Sequence, residues 1–264
     1  MTTEAPQAAP PAPVHRRVEH VMGMPVSLAL RGRHSAGARA DAAWADVLAV
    51  LHEADRVFST YRPDSCVNRL DRGELYLEDC PPDVHEVLDL GELARLESGG
   101  AFDVRREGAD GRRHLDPSGV VKGWAVQRAA RFLAEVPDTD SCLSAGGDMV
   151  CHVASDGPPW RIGVEDPHDP RRVLATVPVS TGAVATSGST HRGAHVVDAR
   201  TGRPATALAS VTVLGPELVW ADIDATAALA LGDHALPWLR TRPGRRGLVV
   251  HAEGTTETFR GPGV

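Results

Sequence analysis

Apolar positions along this chain follow two different periods, and the period changes partway along it. From Ala36 to Val57, the residues Trp44, Val47, Leu48, Leu51 and Ala54 recur at helical spacing. That run ends at Phe58-Ser59-Thr60-Tyr61-Arg62-Pro63, because a residue before proline is biased away from helix. Pro82 to Leu96 predicts a second helix with Val84, Val87, Leu88 and Ala94 inward, stopped by Ser98-Gly99-Gly100. A third follows Leu115-Asp116-Pro117-Ser118-Gly119 and sets Val121, Trp124, Ala125, Ala129, Phe132 and Leu133 on one face. Strand character marks Val18 to Arg31, interrupted at Met22-Gly23-Met24-Pro25, where a plain edge bulge and a close backbone approach are both open. Ser141 to Val153 reads as a strand pair turning at Gly146-Gly147-Asp148, and Trp160–Val164, Val173–Val179 and Ala209–Leu214 as further strands. Val219 to Gly232 is helical by propensity and by its closing glycine, His234 to Thr241 is a short helix, and Gly247 to Phe259 supplies two last strands. Helix-like segments early and strands late predict an α+β fold, an antiparallel β-sheet core packed with helices.

Composition narrows the classes. With 264 residues, 42% of them hydrophobic, the chain can bury one large core or two lobes sharing an interface. The formal charge of −7 (28 basic against 35 acidic) and scattered basic residues argue against a nucleic-acid partner, which needs clustered Lys and Arg. The pairs Arg105-Arg106, Arg112-Arg113, Arg171-Arg172 and Arg245-Arg246 read as solvated loop charges. Cys66, Cys80, Cys142 and Cys151 have no CxxC or zinc spacing, and a reduced set is the simplest account. No stretch is long enough to span a membrane, so no membrane anchor is expected. Residues 1–16 lack a signal core or a lipid-accepting cysteine and read as a disordered Pro/Ala-rich leader, with one domain over 17–264 and a cytoplasmic location expected.

The chemistry concentrates in Val184 to Pro204. Ser187-Gly188-Ser189 is a hydroxyl-rich turn, His195-Val196-Val197-Asp198 alternates like a strand, and Thr201-Gly202-Arg203-Pro204 closes it. Such a ribbon brings an imidazole, a carboxylate and hydroxyls to one cavity; hairpin punctuation around a core histidine would look the same. The turn before the third helix, with Lys122 in its first turn, is a candidate anion site, since free N–H groups and the helix dipole favour phosphate. Asp222 and Thr226 stand four apart on one helix face, hard oxygen donors suited to Mg²⁺ shared with a substrate phosphate. Asp224 points elsewhere and reads as a residue favouring the helix dipole. Tyr61 stacks on a flat ring or sits in the core.

Several fragments, taken in order, resemble the ApbE family, the FAD:protein FMN transferases. Met22-Gly23-Met24 is similar to its MGT, Phe58-Ser59-Thr60-Tyr61 to FSxY, Gly100-Ala101-Phe102-Asp103 to GAFD, and Leu115 to Val126 to LDLGGIAKGYAV. Ala145-Gly146-Gly147-Asp148 matches AGGD; Thr186-Ser187-Gly188, His195 to Asp198 and Thr201 to Pro204 resemble TSG and HxxDPxTGxP; Ala221-Asp222 with Thr226 resembles ADxxxT. The resemblance implies a Mg²⁺-dependent enzyme that cleaves FAD and attaches FMN to a Thr or Ser hydroxyl of an acceptor protein, releasing AMP. Carried over, it implies that Met22, Tyr61, Ala101, Phe102, Asp103, Asp116 and Lys122 line the FAD site. Gly119 (through its carbonyl), Asp222 and Thr226 are then the Mg²⁺ ligands, and His195 the catalytic base. A Mg²⁺-dependent FAD pyrophosphatase giving FMN and AMP, or a non-catalytic flavin-binding protein, is the alternative. The family's helical insertion between AFD and LDLGG is reduced here to the Arg-rich segment Val104–Leu115, and Met24, Arg105, Pro117 and Ala199 depart from the motifs. A more open flavin pocket is expected from that trimming.

Overall fold

The computed structural model describes residues 13–108, 110–154, 157–188 and 196–264. The chain opens with a hairpin, β1 (His15–Val21) and β2 (Met24–Gly32), then helices α1 (Ala38–Phe58), α2 (Cys66–Asp71) and α3 (Pro82–Glu97). A small hairpin, β3 (Arg105–Glu107) and β4 (Arg113–Leu115), leads into α4 (Ser118–Ala134), β5 (Thr139–Ala145) and β6 (Asp148–His152). A long ribbon of β7 (Trp160–Asp166) and β8 (Asp169–Val179) precedes β9 (Gly182–Gly188), the short pair β10 (Val197–Asp198) and β11 (Arg203–Pro204), and β12 (Leu208–Gly215). The chain finishes with α5 (Leu218–Leu231), α6 (Ala235–Leu239), β13 (Arg246–His251) and β14 (Thr256–Arg260).

Eight strands form one antiparallel sheet in the order β1-β2-β5-β6-β9-β12-β13-β14, so sheet order follows chain order throughout. The expected α+β architecture is present. The interruption expected at Met22–Pro25 is a hairpin turn between two strands, because Met22 (φ 56°) and Gly23 (φ 70°) both take left-handed backbone and close a two-residue turn. Paired positive φ values match the right-handed twist of the flanking strands. The same device at Gly146 (φ 58°) and Gly147 (φ 96°) joins β5 to β6.

Alternation assigns the two faces. Leu28, Leu30, Leu143, Ala185, Val211 and Val213 point to the helical side, where α4 lies over β5 and β6 and α5 over β9 and β12. Helices α1 and α3 pack on α4 from outside, with Phe58 meeting Trp124 edge to face at 5.4 Å. Cys142, Cys151, Val184 and Leu214 point the other way and form a smaller cluster with Ile162 and Val179 of the β7–β8 ribbon. All four cysteines are free thiols, as expected. Among the described residues no helix is long and apolar enough to cross a membrane.

Two details bring α4 and α5 together. The Gln127 side chain of α4 accepts from the Val219 N–H at 3.1 Å, satisfying one of the first-turn donors of α5. Gly123 supplies the close approach: a Cβ there would stand 2.9 Å from Val219 Cα, 3.0 Å from the Leu218 carbonyl oxygen and 3.1 Å from Asp222 Cβ. Two of those three atoms are backbone and cannot rotate aside. Alanine's better helix propensity returns about 1 kcal/mol, against about 1–3 kcal/mol for overpacking. Gly123→Ala is therefore expected to lower stability by up to about 2 kcal/mol in urea unfolding, the difference between those two effects.

Asp224 departs from its expected role. It does not serve the helix dipole; it is fully buried, 0% exposed, and takes Arg242 at 3.0 Å and Arg245 at 3.2 Å. Burial pushes its carboxyl up to about 6 against the pull of both guanidiniums. Arg245 is accordingly no solvated loop charge, which corrects one of the four arginine pairs.

Candidate active site

A cleft of about 1610 Å³ opens where the α4 N-terminus, the α5 face carrying Asp222 and Thr226, the end of β9 and the β10–β11 turn converge. Met22, Tyr61, Ala101, Phe102, Asp103, Asp116, Gly119, Lys122, Asp222 and Thr226 all line it. Residues from distant parts of the chain therefore share one cavity. His195 and Ser189 lie outside the described residues.

At the cleft floor sits a charged cluster. Asp222 is 2% exposed and Asp148 1% exposed, and the Lys122 ammonium lies between them, in contact with Asp148 and 3.1 Å from Asp222 Oδ1. Asp148 is there because it pairs with Ala145 across the two-glycine turn, which turns its side chain toward the helices. Its Oδ1 accepts the Thr186 N–H of β9 at 2.9 Å. Burial pushes the Asp222 carboxyl above the usual carboxylate range; Lys122 opposes that rise and Asp148 adds to it. Burial alone would lower the Lys122 ammonium, yet Asp222 and Asp148 together hold it above its ordinary value. A turn further along α5, the Thr226 hydroxyl meets the Ser187 hydroxyl at 2.9 Å.

This donor set suits a hard divalent cation. Asp222 Oδ2 is buried and has no hydrogen-bond partner among the described residues, and Thr226 adds an oxygen on the same helix face. The same residues make no group of three or more His, Cys, Asp or Glu able to hold a metal. An ion bound here must then take further oxygens from a phosphate or from water, as Mg²⁺ commonly does.

The walls are built differently. Phe102 donates its N–H to Ser98 Oγ at 3.0 Å, and its ring packs so tightly on Gly119 that a Cβ there would stand 3.0 Å from it. The β10–β11 turn is tied to the same segment by the Ala199 N–H on the Ala101 carbonyl at 3.2 Å. Tyr61 is 96% exposed at the rim, which removes the reading of it as core. Asp103 pairs with Arg113 and accepts the Arg105 N–H at 2.8 Å, while Asp116 takes Arg106 at 3.1 Å and caps the Ser118 N–H at 3.2 Å. Arg105, Arg106 and Arg113 thus line the cleft, a second correction to the reading of the arginine pairs as solvated loop charges. Sequence reasoning passed over Asp148, treating it as turn punctuation, though the AGGD match was a signal for it.

The model of the ApbE family matches residues 22–110 and 106–249, most of the described chain. The chain belongs to the ApbE family. Among curated ApbE relatives, the FAD:protein FMN transferase of Vibrio cholerae serotype O1 is 33% identical over 131 residues, covering 46% of this chain and 39% of that protein. That of Escherichia coli K12 is 30% identical over 152 residues, covering 53% and 43%. The matched stretches span less than half the length of these curated relatives. Among solved structures, the Pseudomonas stutzeri flavinyl transferase ApbE in its apo form superposes with a TM-score of 0.79 at 24% identity, over 96% of this chain and 98% of that one. The ApbE protein of Thermotoga maritima gives 0.80 at 19% identity, over 94% and 97%. The structural likeness shows the ApbE fold, in agreement with the resemblance read from the motifs.

Proposed function

We propose that this ApbE-family chain is a Mg²⁺-dependent FAD:protein FMN transferase that joins FMN through a phosphoester to a Thr or Ser hydroxyl of an acceptor protein and releases AMP. The observation that carries the reading is the convergence of Lys122, Asp222 and Thr226 at the floor of one cleft, together with family membership. Asp222, Thr226 and the Gly119 carbonyl hold Mg²⁺. When bound, the ion neutralises charge on the diphosphate and polarises the phosphorus under attack. Met22, Tyr61, Ala101, Phe102, Asp103 and Asp116 bind and orient FAD, with Tyr61 at the rim free to stack on the flavin ring.

His195 accepts the acceptor hydroxyl's proton, which requires a neutral imidazole within hydrogen-bond reach. The hydroxyl oxygen bonds to the FMN-side phosphorus, the anhydride bond to the AMP phosphate breaks, and AMP leaves with the bridging oxygen. Lys122 and the α4 N-terminus bear on the negative charge that builds on the diphosphate.

The test incubates the protein with FAD, Mg²⁺ and a domain carrying a candidate acceptor Thr, and looks for the FMN adduct by mass spectrometry. The expected adduct disappears with His195→Ala and with Asp222→Ala. AMP with free FMN and no adduct would instead make the protein an FAD pyrophosphatase. Bound FAD with neither product would make it a flavin binder.

A further inference from the structure

We propose that Lys122 is a built-in stand-in for the divalent cation: without metal its ammonium holds Asp222, and Asp148 is the positioning residue that keeps Lys122 as it gives Asp222 up. This rests on the metal role proposed for Asp222 above. The ammonium touches Asp148 and lies 3.1 Å from Asp222 Oδ1, while both carboxylates are almost wholly buried. Two ionised carboxylates around a single ammonium leave one net negative charge, which draws a cation, and they would repel each other if the ammonium left altogether.

The two anchors differ in freedom. Asp148 begins β6 directly after the Gly146-Gly147 turn, and its other oxygen is fixed by the Thr186 N–H at 2.9 Å. It cannot follow an incoming ion. Lys122 sits on a four-carbon stem and can tilt toward Asp148 while its backbone stays in α4. Asp222 Oδ2 is already without a hydrogen-bond partner among the described residues, so only one of its oxygens is engaged. Thr226 is held likewise by the Ser187 hydroxyl, so both proposed ligand side chains carry an internal partner that an ion displaces. The cleft floor is thereby kept assembled between turnovers by residues of the chain itself.

The test measures Mn²⁺ binding to the full chain without FAD, by electron paramagnetic resonance, in wild type, Lys122→Met, Asp148→Asn and the double variant, each checked by circular dichroism. Removing the internal competitor is expected to tighten Mn²⁺ binding about tenfold in Lys122→Met, a typical coupling between linked sites. Asp148→Asn, which leaves Lys122 to Asp222 alone, is expected to weaken it about tenfold or more. In the Lys122→Met background, Asp148→Asn is expected to cost markedly less, whereas a general loss of negative charge would cost the same in both. Unchanged or weaker binding in Lys122→Met, or an equal cost of Asp148→Asn in both backgrounds, overturns the proposal. Should Lys122→Met misfold, Lys122→Gln replaces it, and unchanged binding in Asp148→Asn alone also overturns it. If wild type binds no Mn²⁺ with or without FAD, the metal reading of Asp222 fails first, which is a different result from a metal that binds without competition.

Discussion

Replacing Asp224 with alanine is expected to lower the stability of the protein by about 3–5 kcal/mol, the usual cost of removing one partner from a buried ion pair. The carboxylate is fully buried and takes Arg242 at 3.0 Å and Arg245 at 3.2 Å, so its loss takes from Arg245 the carboxylate it pairs with and leaves Arg242 to Glu97. Arg242 has other partners, Glu97 at 2.6 Å and the Trp238 ring at 5.1 Å, and these hold it in place rather than let it swing to solvent. Arg242 therefore stays paired, which puts the expected loss toward the lower part of that range. Arg245 is poorly placed to escape as well, since it also donates to the Pro243 carbonyl at 2.6 Å. Thermal unfolding followed by circular dichroism should show a midpoint lower by about 10 °C, taking about 2–4 °C per kcal/mol for a chain of this size. A midpoint within a degree or two of wild type would show that the Asp224 cluster is not structural. Asp224→Asn should recover part of the loss, because the amide oxygen still accepts one of the guanidinium N–H groups.

Asp222→Ala is expected to leave the fold standing and to remove the chemistry. Asp222 lies one turn before Thr226 on a helix whose other residues are almost all apolar and buried, so α5 keeps its packing when this one carboxylate goes. A metal's charge stabilisation amounts to several kcal/mol, and each 1.36 kcal/mol is tenfold in rate, so AMP formation from FAD should fall by about 10³. The variant should still bind FAD, because the walls formed by Phe102, Asp103 and Tyr61 are unchanged. Rate and flavin fluorescence titration, measured together, separate the two contributions. Equal loss of binding and rate would mean that Asp222 positions FAD and does not assist its cleavage. The two substitutions, two residues apart on one helix, thus have opposite signatures: Asp224 costs stability, Asp222 costs turnover.

How much of this was legible beforehand can be argued from particular residues. The long helices and the strand pairs were readable because their apolar positions repeat at one period over enough residues, as in α1 and in β5 with β6. The Asp222–Thr226 pair was readable because i,i+4 spacing is a local property of a helix. Hairpin β3–β4 was not, since its strands are only three residues each and mostly exposed, and hold no alternating apolar signal. Cys66–Asp71 escaped for a similar reason, being a six-residue helix begun by the Ser65 side chain, which accepts the Asn68 N–H at 3.2 Å. Asp148 and Asp224 were misjudged because what defines each is its partners, which lie elsewhere in the chain: Lys122 and Thr186 for one, Arg242 and Arg245 for the other. No local pattern carries that information. The motif resemblance reached the first of these places indirectly, through the AGGD fragment, and did not reach the second.

The sheet in which neighbours follow one another in chain order has a consequence for how such a site can change. Every excursion that builds the cleft, from the helices between β2 and β5 to the ribbon between β6 and β9 and the turn between β9 and β12, leaves one strand and returns to its neighbour. Loop closure grows costlier only slowly with length, so an excursion can be lengthened or trimmed with little effect on the register of the pair it joins. The hairpin Arg105–Leu115 stands within one such excursion, between α3 and α4. Scaffold and site are in this sense separately editable: strand pairing carries the heritable frame, and the detours between strands carry the diversity.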